Sequence, residues 1–370
     1  LGLSNTTITI TYAEGGVSKT CTQAITVSNY LSSIAVTHAP TKTSYFTGET
    51  FNSAGMVVTA TMADGSTKTV TGYTCSPTTM AANTTAVTVS YSEGGVTKTT
   101  TTPVTVTSIS NTLASNSWAT IRAVSDAGKG SNYWSVGDAK GITINGKVGA
   151  TTISNLAISV FILGFNHNAS REGSNRIHFQ IGKINGTLVG LVDGNYGNYT
   201  STTGAFTMNT SNTNSGGWNN SHMRKTVLGS NSASATSPTA NTLLAALPAD
   251  LRAVMKPATK YSDNTGGGSD TASYVTSTTD LLPLLSEFEY HGARTYANSA
   301  EKNYQAQYDY YRAGNSKVHY KHNATGTAAT AWCRSVSSGT GSGFCRVGTG
   351  GGADYGYASY SWALAPCFFV

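Results

Sequence analysis

The chain has 370 residues, only 11% of them charged, and a net charge of +6 from 23 basic and 17 acidic side chains. A disordered chain would carry more charge, and no run of 18 apolar residues exists to insert into a membrane as a helix. The basic residues are dispersed, with nothing denser than Lys317 to Lys321, so there is no nucleic-acid footprint. Abundant Thr, Ser, Gly and Asn beside 39% hydrophobic residues is the composition of a β-rich extracellular or particle-borne protein.

An internal repeat organises the first hundred residues. NTTITITYAEGGV (5–17) returns as NTTAVTVSYSEGGV (83–96), an offset of 78 that fits a small β-sandwich repeat. Residues 1–28 then read as the last strands of a truncated repeat, and 30–107 as a complete one. The start, LGLSNTTITI, has neither an initiator Met nor a signal peptide and reads as the interior of a longer chain. Alternation over 56–62 and 86–91 predicts strands, with turns at Asp64-Gly65 and Gly94-Gly95, the latter a two-residue hairpin loop.

A short polar connection covers 108–116, after which the pattern changes. Trp118, Ile121 and Val124 at helical spacing predict a short helix ending near Gly128. Strands are expected at 141–146, 156–165 and 177–181, followed by mostly loop over the Asn/Ser/Thr/Gly-rich 195–235. Short helices are expected over 239–247 and 249–255, with Pro248 starting the second. Tyr304, Tyr308 and Tyr311 fall on one face of a helix predicted over 300–313, ended by Gly314-Asn315. One α+β domain over 115–370 accommodates these elements.

The last forty residues, 331–370, hold eight glycines, six serines and three tyrosines but no Lys, Glu, Gln, Met, Asn or His. Apolar anchors recur through them: Trp332, Phe344, Val347, Trp362, Leu364 and Phe368 to Val370. Tyr offers rigid contact area at low entropy cost, and Ser and Gly adapt to what is presented. The tract reads as an ordered binding face, since a flexible Gly/Ser tail does not end in an apolar run.

Candidate chemistry is sparse. Cys21, Cys75, Cys333, Cys345 and Cys367 are odd in number and lack C-x-x-C spacing; the final three read as small hydrophobes, with a Cys333–Cys345 bridge left open. His319 and His322 with Cys333 and Cys345 match no closed zinc site. The oxygen-rich stretch from Asp193 to Asn198 lacks EF-hand spacing and reads as a turn. Glu287 and Glu289 would share a face if extended, yet a salt-bridged or capping pair is the better reading than acid–base catalysis. Arg224 and Arg334 read as scaffold hydrogen-bonders. No catalytic residue, metal ligand or cofactor is expected.

Two resemblances add to this. IAVTHAPTKTSYFTGETFNSAGMVVTATMADGSTKTVTGY (34–73) resembles the bacterial immunoglobulin-like repeats of surface and phage structural proteins, which implies a spacer. SWATIRAVSDAGKGSNYWSVGD, FILGFNHN, GGWNNSHMR, LLSEFEYHG, YDYYRAGNSKV and the W-x-R-S…F-C-x-V…A-P-x-F ending resemble the C-type-lectin-fold proteins of gut bacteria and their phages. Many of those are variable targets of diversity-generating retroelements. The implied fold class is multidomain: all-β immunoglobulin-like sandwich repeats, then an α+β C-type-lectin-like domain whose tract 331–370 is variable. In that family, adenine-directed mutagenesis rewrites a C-terminal face on a fixed scaffold.

The resemblance implies ligand contacts at Ser337, Thr340, Ser342, Arg346, Gly348, Thr349, Gly352, Asp354, Tyr355 and Tyr357, all residue types reachable from such codons. Trp332, Phe344 and Trp362 would be scaffold. Val336 stands where Pro usually follows Arg-Ser, and Ala363-Leu364-Ala365 replaces Gly-Val-Arg, so the register of the variable positions stays open. Trp218-Asn219-Asn220 lacks the carboxylate of calcium-dependent sugar lectins. The implied function is a non-enzymatic attachment protein on the surface of a phage virion, in a tail or fibre. Its partners would be a host-cell surface receptor (protein or glycan) and other virion proteins through the preceding part of the chain, with no membrane insertion and a homotrimer as in other fibre tips. A bacterial cell-surface adhesin of the same architecture is the alternative. A more distant one is a formylglycine-generating oxidase using Cys333 and Cys345.

Overall fold

The computed structural model describes residues 2–370. With 40% strand against 15% helix, helices serve mainly as short connectors. The chain divides into two separately packed units, one reaching to Ile109 and the other spanning Ser110–Val370.

The first unit runs through β1 (Thr7–Glu14), β2 (Val17–Ala24), β3 (Leu31–His38), β4 (Ser44–Phe46), β5 (Val57–Met62), β6 (Thr67–Val70), β7 (Thr74–Ser76), β8 (Ala86–Glu93), β9 (Val96–Pro103) and β10 (Thr105–Thr107). β3, β5 and β6 form one antiparallel sheet and β7, β8 and β9 another, while β4 pairs in parallel with β10. Alternation along β5 and β8 turns Val58, Ala60 and Val89 into one apolar layer with Leu31, Ile34 and Met56. Two sheets sharing that layer make a sandwich.

β1 and β2 pair from Thr7↔Ala24 to Glu14↔Val17 around Gly15 and Gly16, at φ 56° and 82°. β8 and β9 turn in the same way at Gly94 and Gly95, at φ 56° and 80°. Both angles lie in the left-handed region that such turns require and that glycine adopts without a Cβ clash. The repeat extends to side chains: Tyr12 Oη donates to Glu14 (2.8 Å) and Tyr91 Oη to Glu93 (3.0 Å). Packing differs, since Val89 is buried while Ile10 at the equivalent place is 53% exposed.

The second unit opens with the helix Trp118–Asp126, capped by Ser117 Oγ accepting from Thr120 N, with Trp118, Ile121 and Val124 buried as their spacing predicts. It starts ahead of the expected 115. The Asn116 side chain holds Ser110 N and O, and Trp134 Nε1 donates to Ser110 O. Next come β11 (Ala139–Val148), β12 (Thr151–Phe165), β13 (Ile177–Ile184) and β14 (Thr187–Gly190), then the hairpin of β15 (Ala258–Asp263) and β16 (Val275–Asp280). β17 (His319–Lys321) and β18 (Ala324–Ala329) extend the main sheet from β14. β19 (Ala331–Val336), β20 (Gly343–Val347) and β21 (Ala353–Tyr357) form a separate antiparallel sheet. β22 (Cys367–Phe369) returns to the main sheet and pairs with β13.

Several expectations are corrected. The helix expected over 300–313 is instead a 3-10 turn at Ser299–Asn303 and a single helical turn at Asp309–Arg312, with Tyr308 extended between them. Each tyrosine answers to a distant partner: Tyr304 stacks on Tyr261 and Tyr308 on His167, and tertiary contact overrides the helical spacing. The helices expected over 239–247 and 249–255 shrink to Leu243–Ala246, whose start is set by the Thr242 side chain accepting from Ala245 N, and Ala249–Arg252, which follows Pro248 as expected. Glu287 and Glu289 lie on the helix Glu287–His291 rather than on an extended segment. Cys333 and Cys345 are free, so the bridge left open is not formed.

Candidate functional site

The register of β20 and β21 decides what the C-terminal tract presents. Cys345 faces Tyr355 and Arg346 faces Asp354 across the ladder. Phe344, Cys345 and Val347 are fully buried, as is nearly all of Trp332, and they tie β20 to the interior. Arg346 lies partly outside and pairs with Asp354 through Nε (3.0 Å) and Nη2 (2.8 Å) to Oδ2. Beyond β21 the chain turns through Ala358 and Ser359, both buried, and returns with Tyr360 and Trp362.

These residues surround a surface pocket of about 370 Å³, lined by Arg346, Asp354, Tyr355, Tyr357, Tyr360 and Trp362 together with Gly356. The Tyr360 and Trp362 rings lie 5.8 Å apart with planes 10° from parallel, and Tyr357 sits 6.1 Å from Tyr360. The Arg346 guanidinium covers the Trp362 ring at 5.0 Å. Tyr196 and Tyr199 extend the array by edge contacts to Trp362 and Tyr360.

Four of the expected contact residues, Arg346, Asp354, Tyr355 and Tyr357, therefore meet at one place. The others do not. Thr340 and Ser342 sit half-exposed in the turn between β19 and β20, their hydroxyls 2.9 Å apart. Gly348, Thr349 and Gly352 form the turn between β20 and β21, closed by Gly348 N donating to Gly352 O. Ser337 is corrected outright. It is 1% exposed, with its N donating to Gly343 O and a bridge to Ala297, so it cannot touch a partner. Trp332 and Phe344 are interior scaffold, whereas Trp362 is half-buried and lines the pocket.

Sequence reasoning missed Tyr360, Tyr196 and Tyr199. Tyr360 is one of the three tyrosines of the 331–370 tract but is not among the expected contacts, and Tyr196 and Tyr199 carry no signal beyond a tyrosine in a polar loop. They reach the site through the isolated bridges Tyr196↔Ser361 and Tyr199↔Tyr360. Asp193, read as part of a turn, fastens this arrangement: Oδ1 accepts from Asn195 N (3.0 Å) and Ser361 Oγ (2.6 Å), and Oδ2 from Phe206 N (2.8 Å). Asn214 fastens the β19–β20 turn. Its Nδ2 donates to Thr340 O (2.7 Å) and Gly343 O (2.9 Å), and its Oδ1 accepts from Gly267 N (2.8 Å).

Behind the face lies a buried ionic network. Lys260 Nζ contacts Glu172 Oε2 (2.5 Å) and Glu289 Oε1 (2.8 Å), and Arg334 pairs with both Glu289 oxygens. Burial alone would raise the Glu289 carboxyl, but the Arg334 and Lys260 cations outweigh it and hold the group below the usual range. Glu172 is driven upward by burial despite Lys260. His167, Glu172 and Glu289 bring potential metal-ligand atoms within 4.8 Å of one another. The Lys260 ammonium already sits on both carboxylates where a cation would go, so the cluster is an ion-pair frame. Arg334 Nε also donates to Ser262 and Arg224 Nε to Asp280 Oδ1 (2.7 Å), the scaffold bonding expected of both arginines. Glu289 also completes a capping box with Ser286.

The three cysteines of the tract are buried. Burial pushes the Cys333 and Cys345 thiols well up and Cys367 up to about 12, so they hold their protons and behave as small hydrophobes.

Residues 38–106 match the family model of the bacterial Ig-like domain (group 3), so a domain of that kind makes up most of the first unit's sandwich. No curated protein matches the chain.

Proposed function

We propose that the second unit is a non-enzymatic recognition module, that β21 and the Tyr360–Trp362 segment make its ligand contacts, and that the Ig-like unit is its spacer. One observation carries the reading. Tyr355 and Tyr357 are 40% and 51% exposed beside the Arg346–Asp354 pair, on the outer strand β21, which is held by its pairing to the mostly buried β20. Rigid tyrosines beside small residues on a fixed frame are what a paratope uses.

The finer reading is a C-type-lectin-like domain diversified by a retroelement and carried on a phage tail or fibre, with a host-cell surface receptor as partner. It is supported by the ordered motifs over 115–370 and by the placement of Arg346, Asp354, Tyr355 and Tyr357 at the surface. A bacterial surface adhesin is the second reading, favoured by the bacterial Ig-like family match. The oxidase reading has little support, since buried protonated thiols are poor nucleophiles.

The test is attachment of the full chain to gut bacterial cells, compared with a Tyr355→Ala/Tyr357→Ala variant. Each anchor lost is expected to weaken binding by about 1–4 kcal/mol. Unchanged attachment overturns the reading. Sequencing the locus across a population tests diversification, which requires substitutions concentrated at adenine-bearing codons of 331–370.

A further inference from the structure

We infer that the pocket beside Trp362 binds the ring of a neutral saccharide and does so without calcium; this rests on the recognition reading above and names the ligand class of that site. Aromatic faces are electronegative, and the C–H bonds on one side of a pyranose carry partial positive charge, so a sugar ring lies flat on an aromatic face. Tyr357, 51% exposed and 6.1 Å from Tyr360, offers such a face, and the stacked Tyr360 and Trp362 rings, with Arg346 over Trp362, form the wall beside it.

Polar groups stand next to those rings. The hydroxyls of Tyr355, Tyr357 and Tyr360 bond to no protein atom, and Asp354 and Arg346 keep lone pairs and N–H groups beyond their mutual contact. A guanidinium and a carboxylate side by side, a donor pair next to an acceptor pair, match the vicinal hydroxyls of a sugar.

Charge and size narrow the class. Arg346 and Asp354 compensate each other, so an anion would meet the carboxylate and a cation the guanidinium; a neutral ligand meets neither penalty. About 370 Å³ lies at the small end of the roughly 300–1,000 Å³ of small-molecule sites, room for one or two sugar rings. The large exposed hydrophobic residues of the second unit are Tyr199, Tyr355 and Tyr357, with no exposed Leu, Ile, Phe or Met in that unit. The pocket lining is likewise aromatic with no aliphatic side chain, so ring-face contact is what it offers. Calcium takes six to eight oxygen ligands, and the one carboxylate lining the pocket is already paired with Arg346.

Trp362 supplies the readout. Trp118, Trp134, Trp218 and Trp332 are all buried, so a ligand in the pocket perturbs chiefly Trp362 fluorescence. The full chain would be titrated in EDTA with the methyl glycosides and β-linked disaccharides of glucose, galactose, mannose and N-acetylglucosamine. The same chain would be tested for attachment to gut bacterial cells treated with periodate, which cleaves vicinal diols, or with protease. The expected result is a saturable fluorescence shift with at least one sugar, unaffected by EDTA. Tyr357→Ala should weaken it about tenfold or more with an unchanged melting temperature, and attachment should be periodate-sensitive. The inference is overturned if no sugar of the panel shifts the fluorescence. It is equally overturned if attachment survives periodate but not protease, which makes the partner a protein and leaves the recognition reading intact. Attachment indifferent to Tyr355→Ala/Tyr357→Ala removes the recognition reading itself.

Discussion

Arg334 and Tyr357 lie on neighbouring stretches of one tract and do opposite work. Tyr357 is half out of the protein, and its loss costs the fold little. Arg334 is fully buried and reaches Glu289, Ser262 and the Leu284 carbonyl. Removing the guanidinium strands the Glu289 charge with only Lys260 beside it, while Glu172 competes for that ammonium. Arg334→Met is therefore expected to destabilise the second unit by about 3–5 kcal/mol, measured by denaturant unfolding. This contrast is why part of the site was legible in the sequence and part was not. The family resemblance, laid on the positions between apolar anchors, marked Arg346, Asp354, Tyr355 and Tyr357. The same cue failed at Ser337, whose neighbour Ala297 comes from a segment with no sequence signal linking it to β19.

Among the elements, those with local causes were readable: the helix Trp118–Asp126 from its spacing, the hairpins from paired glycines, and β11 to β13 from their apolar runs. Elements fixed by distant contacts were not, as the tyrosines between 300 and 313 demonstrate. The β19–β20 turn belongs to the second class. Its shape depends on Asn214, whose side chain is buried and satisfies Thr340 and Gly343 carbonyls. Asn214→Ala takes the side-chain donor from the Thr340 carbonyl and leaves the Gly343 carbonyl with the Ser337 N–H, at about 1–3 kcal/mol. The expected outcome is faster amide exchange over 337–343, with exchange of the main-sheet strand β13 much less affected.

Over the whole second unit, pH acts through buried groups with opposed signs. Burial depresses His167 to about 3 and His291 and His319 to about 4, against 6.5 when unfolded. The unfolded chain thus binds more protons below 6.5, and this contribution to stability is present above 6.5 and is lost as pH falls toward 4 and 3. Glu301 runs the other way. Burial raises it to about 7 from 4.5, so its contribution is complete below 4.5 and disappears as pH rises through 7. Burial lowers His178, His222 and His322 as well and raises Glu172 alongside Glu301, so six histidines oppose two carboxyls and the second unit is expected to melt higher at pH 7 than at pH 4.5. Glu301→Gln should widen that difference in calorimetric scans at the two pH values. A melting temperature that is higher at pH 4.5 would contradict the buried-histidine account.

β22 places three buried residues against β13 from the far end of the unit, after the display strands have been laid down. Pairings so remote along the chain are slow to form, because the intervening loop must be closed before the contact contributes. A nascent polypeptide is therefore expected to cover the free edge of β13 only once residues 367–369 have been synthesised. Deleting 367–370 should leave the remainder of this unit open to limited proteolysis. Incomplete copies are thus expected to be degraded before the β21 tyrosines are set on a finished interior.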